Sequence, residues 1–421
     1  MTNAEGVKSS TESESIPDDI MEEARELCRG CEVLPDGARG LAQKLWEAKK
    51  EGRKLRVKLG VDPTSTDLHL GHAVVFRKLR RFQEFGHQIV LIIGGFTAQI
   101  GDPSGRDKTR PPLTSDDVAK NAQTYINQMG LILDMKLTEV TNNADWLAPL
   151  DLSKVLQLAS HATVNQMLAK EAFGERMEKQ LPIAMHELFY PLLQAYDSVA
   201  IKCDIELGGT DQRFNILQGR ELQPRYGLKP QLGMFLPLLE GTDGVQKMSK
   251  SYGNWISLKD EPSDMLGKCM RIPDELIIKY FELCTTLTGS EIDQISADMK
   301  AGANPKDKKE KLGHQIVRQY HGEEAADHAL AEWKKVHSEK QMPDLADMEV
   351  HEIKEKMPVR KILVDAKMAA SGAEAKRLIQ EGAVRLDGEQ IKDQNFELDL
   401  AKGQERVLQV GRRKFIRVRL A

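Results

Sequence analysis

The chain has 421 residues, a formal net charge of −4, 40% hydrophobic and 29% charged residues, ordinary globular usage that excludes a fibrous or wholly disordered protein. That length exceeds the ~100 to 200 residues of one domain, so two or three folded units are expected. The longest apolar stretch, Ile89 to Ile93 running into Gly94-Gly95, is far short of the roughly 20 residues a spanning helix needs, and no membrane partner is expected.

Residues 1 to about 17 are rich in Ser, Thr and Glu and read as disordered. No basic apolar leader is present, so a cytoplasmic location is expected. Residues 1–36 carry three Lys/Arg against ten Asp/Glu, a net −7, and read as an acidic, partly disordered extension with one helical stretch at Ile20 to Leu27. After the break at Pro35-Asp-Gly37, Gly40 to Lys50 has helical spacing. Leu55 to Val61 then reads as a strand, Gly71 to Phe85 as a helix and Ile89 to Ile93 as a second strand, the βαβ rhythm of a parallel sheet. Ile201 to Leu207 alternates in the same way before Gly208-Gly209. Residues 37–257 are therefore expected to form an α/β domain.

From 258 to 340 the pattern turns helical, with apolar residues at helical spacing in Glu275 to Leu287, Gly289 to Lys300, Pro305 to Tyr320 and Glu323 to Ser338. Residues 341–356 read as a linker. The unit at 357–421 carries fourteen Lys/Arg against nine Asp/Glu, a net +5, which points to a polyanionic partner bound locally. Five cysteines are an odd number, and Cys28-Arg-Gly-Cys31 has no second pair at zinc-site spacing, so no metal site is expected.

The segment from Val61 to His72 lies between a predicted strand and a predicted helix, the junction at which open α/β sheets bind ligands. His69 and His72 flank Leu70-Gly71. The bare Gly71 backbone would let a nucleotide approach while both imidazoles reach its phosphates. An isolated pair of this kind is more often a pair of capping or surface histidines. A second element, Gly244-Val-Gln-Lys247-Met248-Ser249-Lys250-Ser251, reads as a mobile loop whose lysines follow charge building on a phosphoryl group.

Together, HLGH and KMSKS resemble the signatures of class I aminoacyl-tRNA synthetases. Tyr190-Pro-Leu-Leu-Gln194-Ala-Tyr-Asp197, Gly208-Gly209-Thr-Asp211-Gln212 and Gly94-Gly95-Phe-Thr-Ala-Gln-Ile-Gly-Asp102-Pro-Ser-Gly105 resemble the tyrosyl-tRNA synthetase pattern, over roughly residues 40 to 421. The resemblance implies a Rossmann-like α/β catalytic domain followed by an α-helical anticodon-side domain. It also implies that tyrosine is activated with ATP and magnesium and passed to tRNA(Tyr) by a homodimer. Asp102, Tyr190 and Gln194 would hold the tyrosine ammonium and Asp197 its phenol, with Gly60 and Asp62 beside them. Gln212 would lie near the carboxylate or ribose. Gly71, Gly209, Asp211, Met248 and Ser249 would hold the nucleotide. Thr64, His69, His72, Lys247 and Lys250 would be catalytic, and Arg106 and Arg110 would meet pyrophosphate. Independently of the family, Tyr190, Gln194 and Asp197 fall at i, i+4 and i+7, one face of a helix.

One departure stands out: many members carry a tyrosine where this chain has Lys58, which puts a direct contact of that side chain with tyrosine in doubt. The order in 357–421 of helix, capping box at Ser371, helix with Lys376-Arg377, glycine and strand resembles an α+β RNA-binding module of the alpha-L type. Arg360, Lys361, Lys376, Arg377 and Arg385 are its candidate RNA contacts, and no DNA partner is expected. The rival readings are a tryptophanyl-tRNA synthetase, a non-catalytic RNA-binding scaffold on a synthetase fold and a small nucleotidyltransferase. The last leaves residues 258–421 without a purpose.

Overall fold

The computed structural model describes residues 15–63, 67–103, 115–337, 345, 348–411 and 414–421. Two compact units divide the chain, residues 1–260 with 268–312, and 261–267 with 313–421.

The first unit begins with α1 (Asp18–Cys28), β1 (Glu32–Leu34), α2 (Gly37–Lys50), β2 (Arg56–Val61), α3 (Leu70–Glu84) and β3 (Gln88–Ile93). It continues with α4 (Thr97–Ile100), α5 (Ser115–Met129), β4 (Thr138–Asn142), α6 (Ala144–Leu147), α7 (Leu152–Ala159), α8 (Val164–Leu168) and α9 (Glu171–Glu178). Then come α10 (Met185–Ala200), β5 (Ile205–Gly209), α11 (Arg213–Leu222) and β6 (Leu232–Leu236). Among the described residues these strands form one sheet in the order β1-β6-β5-β2-β3-β4. β2 pairs in parallel with both β3 and β5, and only β1 runs antiparallel, against β6.

Sequence and burial agree along these elements. Ile89 to Ile93 are all buried, as a central parallel strand covered on both faces requires. α3 buries Leu70, Ala73, Val74, Phe76, Leu79 and Phe82, the i, i+3, i+4 stripe of a helix lying on a sheet. The expected strand at Ile201 to Leu207 is displaced to β5, because α10 continues to Ala200 and a turn intervenes. Residues 18–34, read from sequence as part of an acidic extension, supply α1 and the edge strand β1.

The helical stretch comprises α12 (Pro262–Cys269), α13 (Ile277–Cys284), α14 (Gly289–Lys300), α15 (Pro305–His321) and α16 (Glu323–His337). It is shared between the two units, which part within α15. The second unit continues with β7 (Val350–Ile353), β8 (Met357–Pro358), α17 (Val359–Asp365), α18 (Gly372–Gln380), β9 (Val384–Leu386), β10 (Glu389–Gln390), β11 (Glu397–Leu398), β12 (Glu405–Val410) and β13 (Lys414–Leu420). Strands β10-β9-β12-β13-β7 make one sheet and β11-β8 another. The two helices share a buried core with these strands through residues including Ile362, Leu363, Ile379, Leu408 and Val418. β7 comes from the stretch expected to be a linker and pairs with β13. Among the described residues no helix is long and apolar enough to cross a membrane.

Candidate active site

The strand order reverses at β2, whose neighbours β3 and β5 lie on opposite sides. A crevice opens beyond the carboxyl ends of strands at such a switch point. Here it is a cavity of about 760 Å³. The end of β2 supplies Gly60 and Asp62, the entry to α3 supplies His69, Gly71 and His72, and the chain after α4 supplies Asp102. α10 contributes Tyr190, Gln194 and Asp197 from one face, while the end of β5 and the turn after it contribute Gly209, Asp211 and Gln212. The loop after β6 closes the wall with Lys247, Met248, Ser249 and Lys250. Thr64, Arg106 and Arg110 lie outside the described residues.

At one end of α10, Tyr190 Oη donates to Asp62 Oδ2 at 2.9 Å, and Thr97 Oγ1 donates to Asp62 Oδ1 at 2.8 Å. Burial raises the Asp62 carboxyl from 3.8 to about 7, although these two donors pull the other way. Gly94 makes this arrangement possible, since a Cβ there would lie 1.9 Å from Asp62 Oδ1. At the other end Asp197, 3% exposed, accepts from Trp146 Nε1 at 2.8 Å and from Asn143 Nδ2 at 3.3 Å. Burial raises it to about 6, against the opposing pull of the Lys58 cation and these donors.

Between the two ends runs a chain of amides. Gln194 Oε1 accepts from Asn215 Nδ2 at 3.0 Å, and Asn215 Nδ2 also donates to Gln212 Oε1 at 3.0 Å. Gln212 Nε2 in turn donates to Asp102 Oδ2 at 2.7 Å. Lys170, 3% exposed, bonds Asn215 Oδ1 at 2.9 Å and Asp102 Oδ1 at 3.4 Å.

The histidine pair stacks with ring centroids 3.8 Å apart. His69 N–H donates to His72 Nδ1 at 3.3 Å, so a neutral His72 carries its proton on Nε2. Burial lowers His72 to about 4, and burial with the neighbouring His72 lowers His69 to about 3. Both rings are neutral at pH 7. They offer N–H donors rather than charge. His69 Nδ1 is buried with no hydrogen-bond partner among the described residues. A Cβ on Gly71 would press on the His69 ring at 3.0 Å while meeting Met248 Cβ in ordinary contact at 3.5 Å, so glycine is what leaves the His69 ring its place against the backbone.

That loop is stapled at its base. Asn254 Nδ2 donates to Asp243 Oδ2 at 2.9 Å and to the Lys247 carbonyl at 3.2 Å, and Asn254 Oδ1 accepts from Ser249 N–H at 2.8 Å. Lys247 and Lys250 remain exposed beyond it.

Lys58 is fully buried and turned away from the cavity. Its Nζ meets Glu206 Oε1 at 3.0 Å, Ser198 Oγ at 2.8 Å and the Gln194 carbonyl at 3.0 Å. Sequence reasoning passed over Trp146, Asn143, Lys170, Asn215 and Glu206. The one local signal was Asn142-Asn143-Ala-Asp-Trp146, which starts on the last residue of β4 and puts polar residues at the end of a parallel strand.

In the second unit Arg360 and Lys361 lie on α17, exposed Lys376 and Arg377 on α18, and exposed Arg385 on β9. Arg377 is flanked by Glu374 and Glu381, each at 3.8 Å, and Arg385 donates to the Gly388 carbonyl at 3.0 Å.

The family model for class I tRNA synthetases (W and Y) matches residues 49–338, and that for the tyrosine–tRNA ligase SYY-like C-terminal domain matches 338–418. The chain is 51% identical over 377 residues to a tyrosine–tRNA ligase of Thermotoga maritima, covering 89% of this chain and 93% of the relative. It is 46% identical over 406 residues to one from Moorella thermoacetica, covering 96% and 97%. Among solved structures, a C-terminally truncated mitochondrial tyrosyl-tRNA synthetase of Aspergillus nidulans superposes with a TM-score of 0.63 at 23% identity, over 77% of this chain and 95% of that one. The Archaeoglobus fulgidus tyrosyl-tRNA synthetase complexed with L-tyrosine superposes at 0.59 and 24% identity, over 74% and 100%. At these identities the superpositions establish the fold.

Proposed function

We propose, from the premise that the chain belongs to the tyrosine–tRNA ligase family of class I tRNA synthetases, that the crevice beyond β2 and β5 is where tyrosine and ATP meet. The enzyme activates L-tyrosine with ATP to tyrosyl-adenylate and pyrophosphate, then transfers the tyrosyl group to tRNA(Tyr). The observation that carries the site assignment is the convergence on one cavity of His69 and His72, the loop lysines and the polar face of α10.

In this reading the phenol donates to Asp197, whose other contacts leave it fixed. Tyr190 gives its own proton to Asp62, so its oxygen lone pairs, with Gln194 Oε1 and the Asp102 carboxylate, are turned toward the substrate ammonium. Gln212 lies near the carboxylate or ribose, and Gly71, Gly209, Asp211, Met248 and Ser249 line the nucleotide side. A carboxylate oxygen of tyrosine attacks the α-phosphorus. The bond to the bridging oxygen breaks, and its electron pair leaves with pyrophosphate. No general base is needed, because the nucleophile is already ionised. Neutral His69 and His72 donate hydrogen bonds to the phosphate oxygens, and Lys247 and Lys250 supply the positive charge that meets the transition state. Asp62, Asp102 and Asp197 already accept side-chain donors. Magnesium would therefore travel on the ATP phosphates, and no protein ligand is assigned to it.

The basic module at the C-terminus would hold tRNA through Arg360, Lys361, Lys376, Arg377 and Arg385, at a cytoplasmic site of translation. A second copy of the chain would cover the exposed apolar residues between α7 and α10. Leu152 and Leu156, one turn apart on α7, are 72% and 60% exposed, and Met185 is 69% exposed.

The family model spans tryptophan and tyrosine enzymes, so the decisive experiment is amino-acid-dependent pyrophosphate exchange with all twenty amino acids. Tyrosine alone should drive it. Faster exchange with tryptophan would overturn the assignment.

A further inference from the structure

Beneath the cavity floor, Lys58 on β2 and Glu206 on β5 sit opposite each other in the sheet register, and both are all but sealed from solvent, at 0% and 1% exposed. Neither lines the cavity. The three bonds of the ammonium, to Glu206, Ser198 and the Gln194 carbonyl, use all three of its protons. The carboxylate is equally engaged. Its Oε1 accepts from Gln194 Nε2 at 3.0 Å, and its Oε2 accepts from Ser198 Oγ at 2.9 Å and Gln231 Nε2 at 2.6 Å.

A primary amide has one end that donates and one that accepts, and a carboxylate can only accept. Glu206 therefore forces Gln194 to present its NH2 downward and its carbonyl oxygen upward. At the far end of the same chain, the Lys170 ammonium can only donate, so it claims Asn215 Oδ1 and turns Asn215 Nδ2 toward Gln194 Oε1. A buried anion at one end and a buried cation at the other thus set the direction of every amide between them. With the opposite direction, Gln194 would meet the substrate ammonium with its own NH2.

We propose that the Lys58–Glu206 pair is a positioning element that orients Gln194 for the α-ammonium of tyrosine from below the pocket, without touching substrate. This rests on the reading of Gln194 as an ammonium acceptor. Lys58 anchors the arrangement by fixing both the Glu206 carboxylate and the backbone carbonyl of Gln194.

The test compares binding of L-tyrosine with that of desaminotyrosine, which keeps the phenol and carboxylate and lacks the ammonium, by calorimetry on the full-length protein. Lys58→Met with Glu206→Gln removes both charges together, a change that buried pairs often tolerate, and leaves a residue at 206 that no longer dictates the amide direction. Glu206→Asp keeps the pair's charges and withdraws the carboxylate from Gln194 by one methylene, and serves if the double variant does not fold. Each should weaken tyrosine by about ten-fold or more and desaminotyrosine by less than about two-fold. Equal losses for the two ligands, or no loss for either, would overturn the proposal. Gln194→Ala tests the underlying reading separately: unchanged tyrosine affinity there removes Gln194 from the ammonium site whatever Glu206 does.

Discussion

Lys250 Nζ lies 2.7 Å from Asp67 Oδ2, tying the loop after β6 to the segment that leads into α3. The same ammonium stands 5.4 Å from the Trp255 ring centroid, and Lys259 reaches the other oxygen of Asp67 at 3.7 Å. Lys250 is 62% exposed in this pair, and an ion pair so open to water contributes ~1 kcal/mol or less. It can be exchanged for phosphate contacts at little cost.

Lys247→Ala and Lys250→Ala should therefore each slow adenylate formation by about a hundred-fold or more, with tyrosine affinity changed by less than about three-fold, because their charge meets a partner that exists only as the phosphoryl group moves. Asp67→Asn should alter the rate by less than about five-fold. Single-turnover formation of tyrosyl-adenylate checks all three. A Lys250→Ala enzyme at the wild-type rate would make that lysine a bystander.

Asp197→Ala should erode the preference for tyrosine over phenylalanine. The phenol proton completes a buried carboxylate that phenylalanine would leave desolvated and short of a donor. A charge-assisted bond of this kind corresponds to about ten- to a hundred-fold in the ratio of kcat/KM values. An unchanged ratio in a folded variant would take Asp197 out of the phenol site.

The Asp62 carboxyl, raised from 3.8 to about 7 by burial, keeps a proton in the folded protein that the unfolded chain releases near pH 4. Its contribution to stability is full below that pH and disappears as the pH rises to about 7. His69 and His72 act in the opposite sense. Their folded values, about 3 and about 4, make their contribution present above about pH 6.5 and lost on acidification. Urea unfolding of wild type and Asp62→Asn between roughly pH 4 and 8 isolates the carboxyl: the wild type's advantage should shrink as the pH rises. A difference independent of pH would mean that Asp62 titrates as an ordinary carboxyl.

A chain ending near residue 350 should retain pyrophosphate exchange, because the residues assigned to adenylate formation lie in the first unit. Charging of tRNA should fall, and the salt dependence of tRNA binding should become shallower by ~0.7 to 0.9 for every phosphate that the shortened chain no longer neutralises. Matching charging and salt slope in a folded shortened chain of unchanged oligomeric state would deny the C-terminal module a role in binding tRNA.

Replacing Leu152 and Leu156 together by Asp should shift the protein toward monomer in sedimentation velocity, since the new carboxylates of both copies would be buried there without cations. If the sedimentation coefficient does not change, that face of α7 is not where two copies meet.

Periodicity and punctuation carried much of this architecture. α14 runs from Gly289 to Lys300 as its Gly and apolar spacing suggest, and the i, i+4, i+7 face of α10 does point into one cavity. What escaped was set by distant pairing. β1 is three residues long and acquires its identity from β6, about 200 residues later, so no local pattern announces it. Lys170 and Glu206 read in sequence like any solvated charge. Their partners, Asp102 and Lys58, become neighbours only after the sheet has formed, and a buried charge cannot be told from an exposed one before its neighbours are known. Lys58, whose part in the site the sequence left open, is paired with Glu206 beneath the pocket.

α10 also serves as a gauge of substrate length. Its rise of ~1.5 Å per residue separates Tyr190 from Asp197 by roughly 10 Å along the axis, and both lie on one rigid element, so the span between the ammonium site and the phenol site cannot stretch to suit a longer amino acid. Asp197 is gripped by Trp146 and Asn143, whereas Gln194 is set by Glu206 and Asn215. The two ends of the gauge are nevertheless joined, because Asn143 Nδ2 also donates to Thr97 Oγ1 at 3.0 Å and Thr97 bonds Asp62, the acceptor of Tyr190. Re-cutting the pocket for a different para substituent should therefore start at Asp197 and Trp146 and keep Asn143, whose amide also supports the Thr97–Asp62–Tyr190 end that grips the amino-acid backbone.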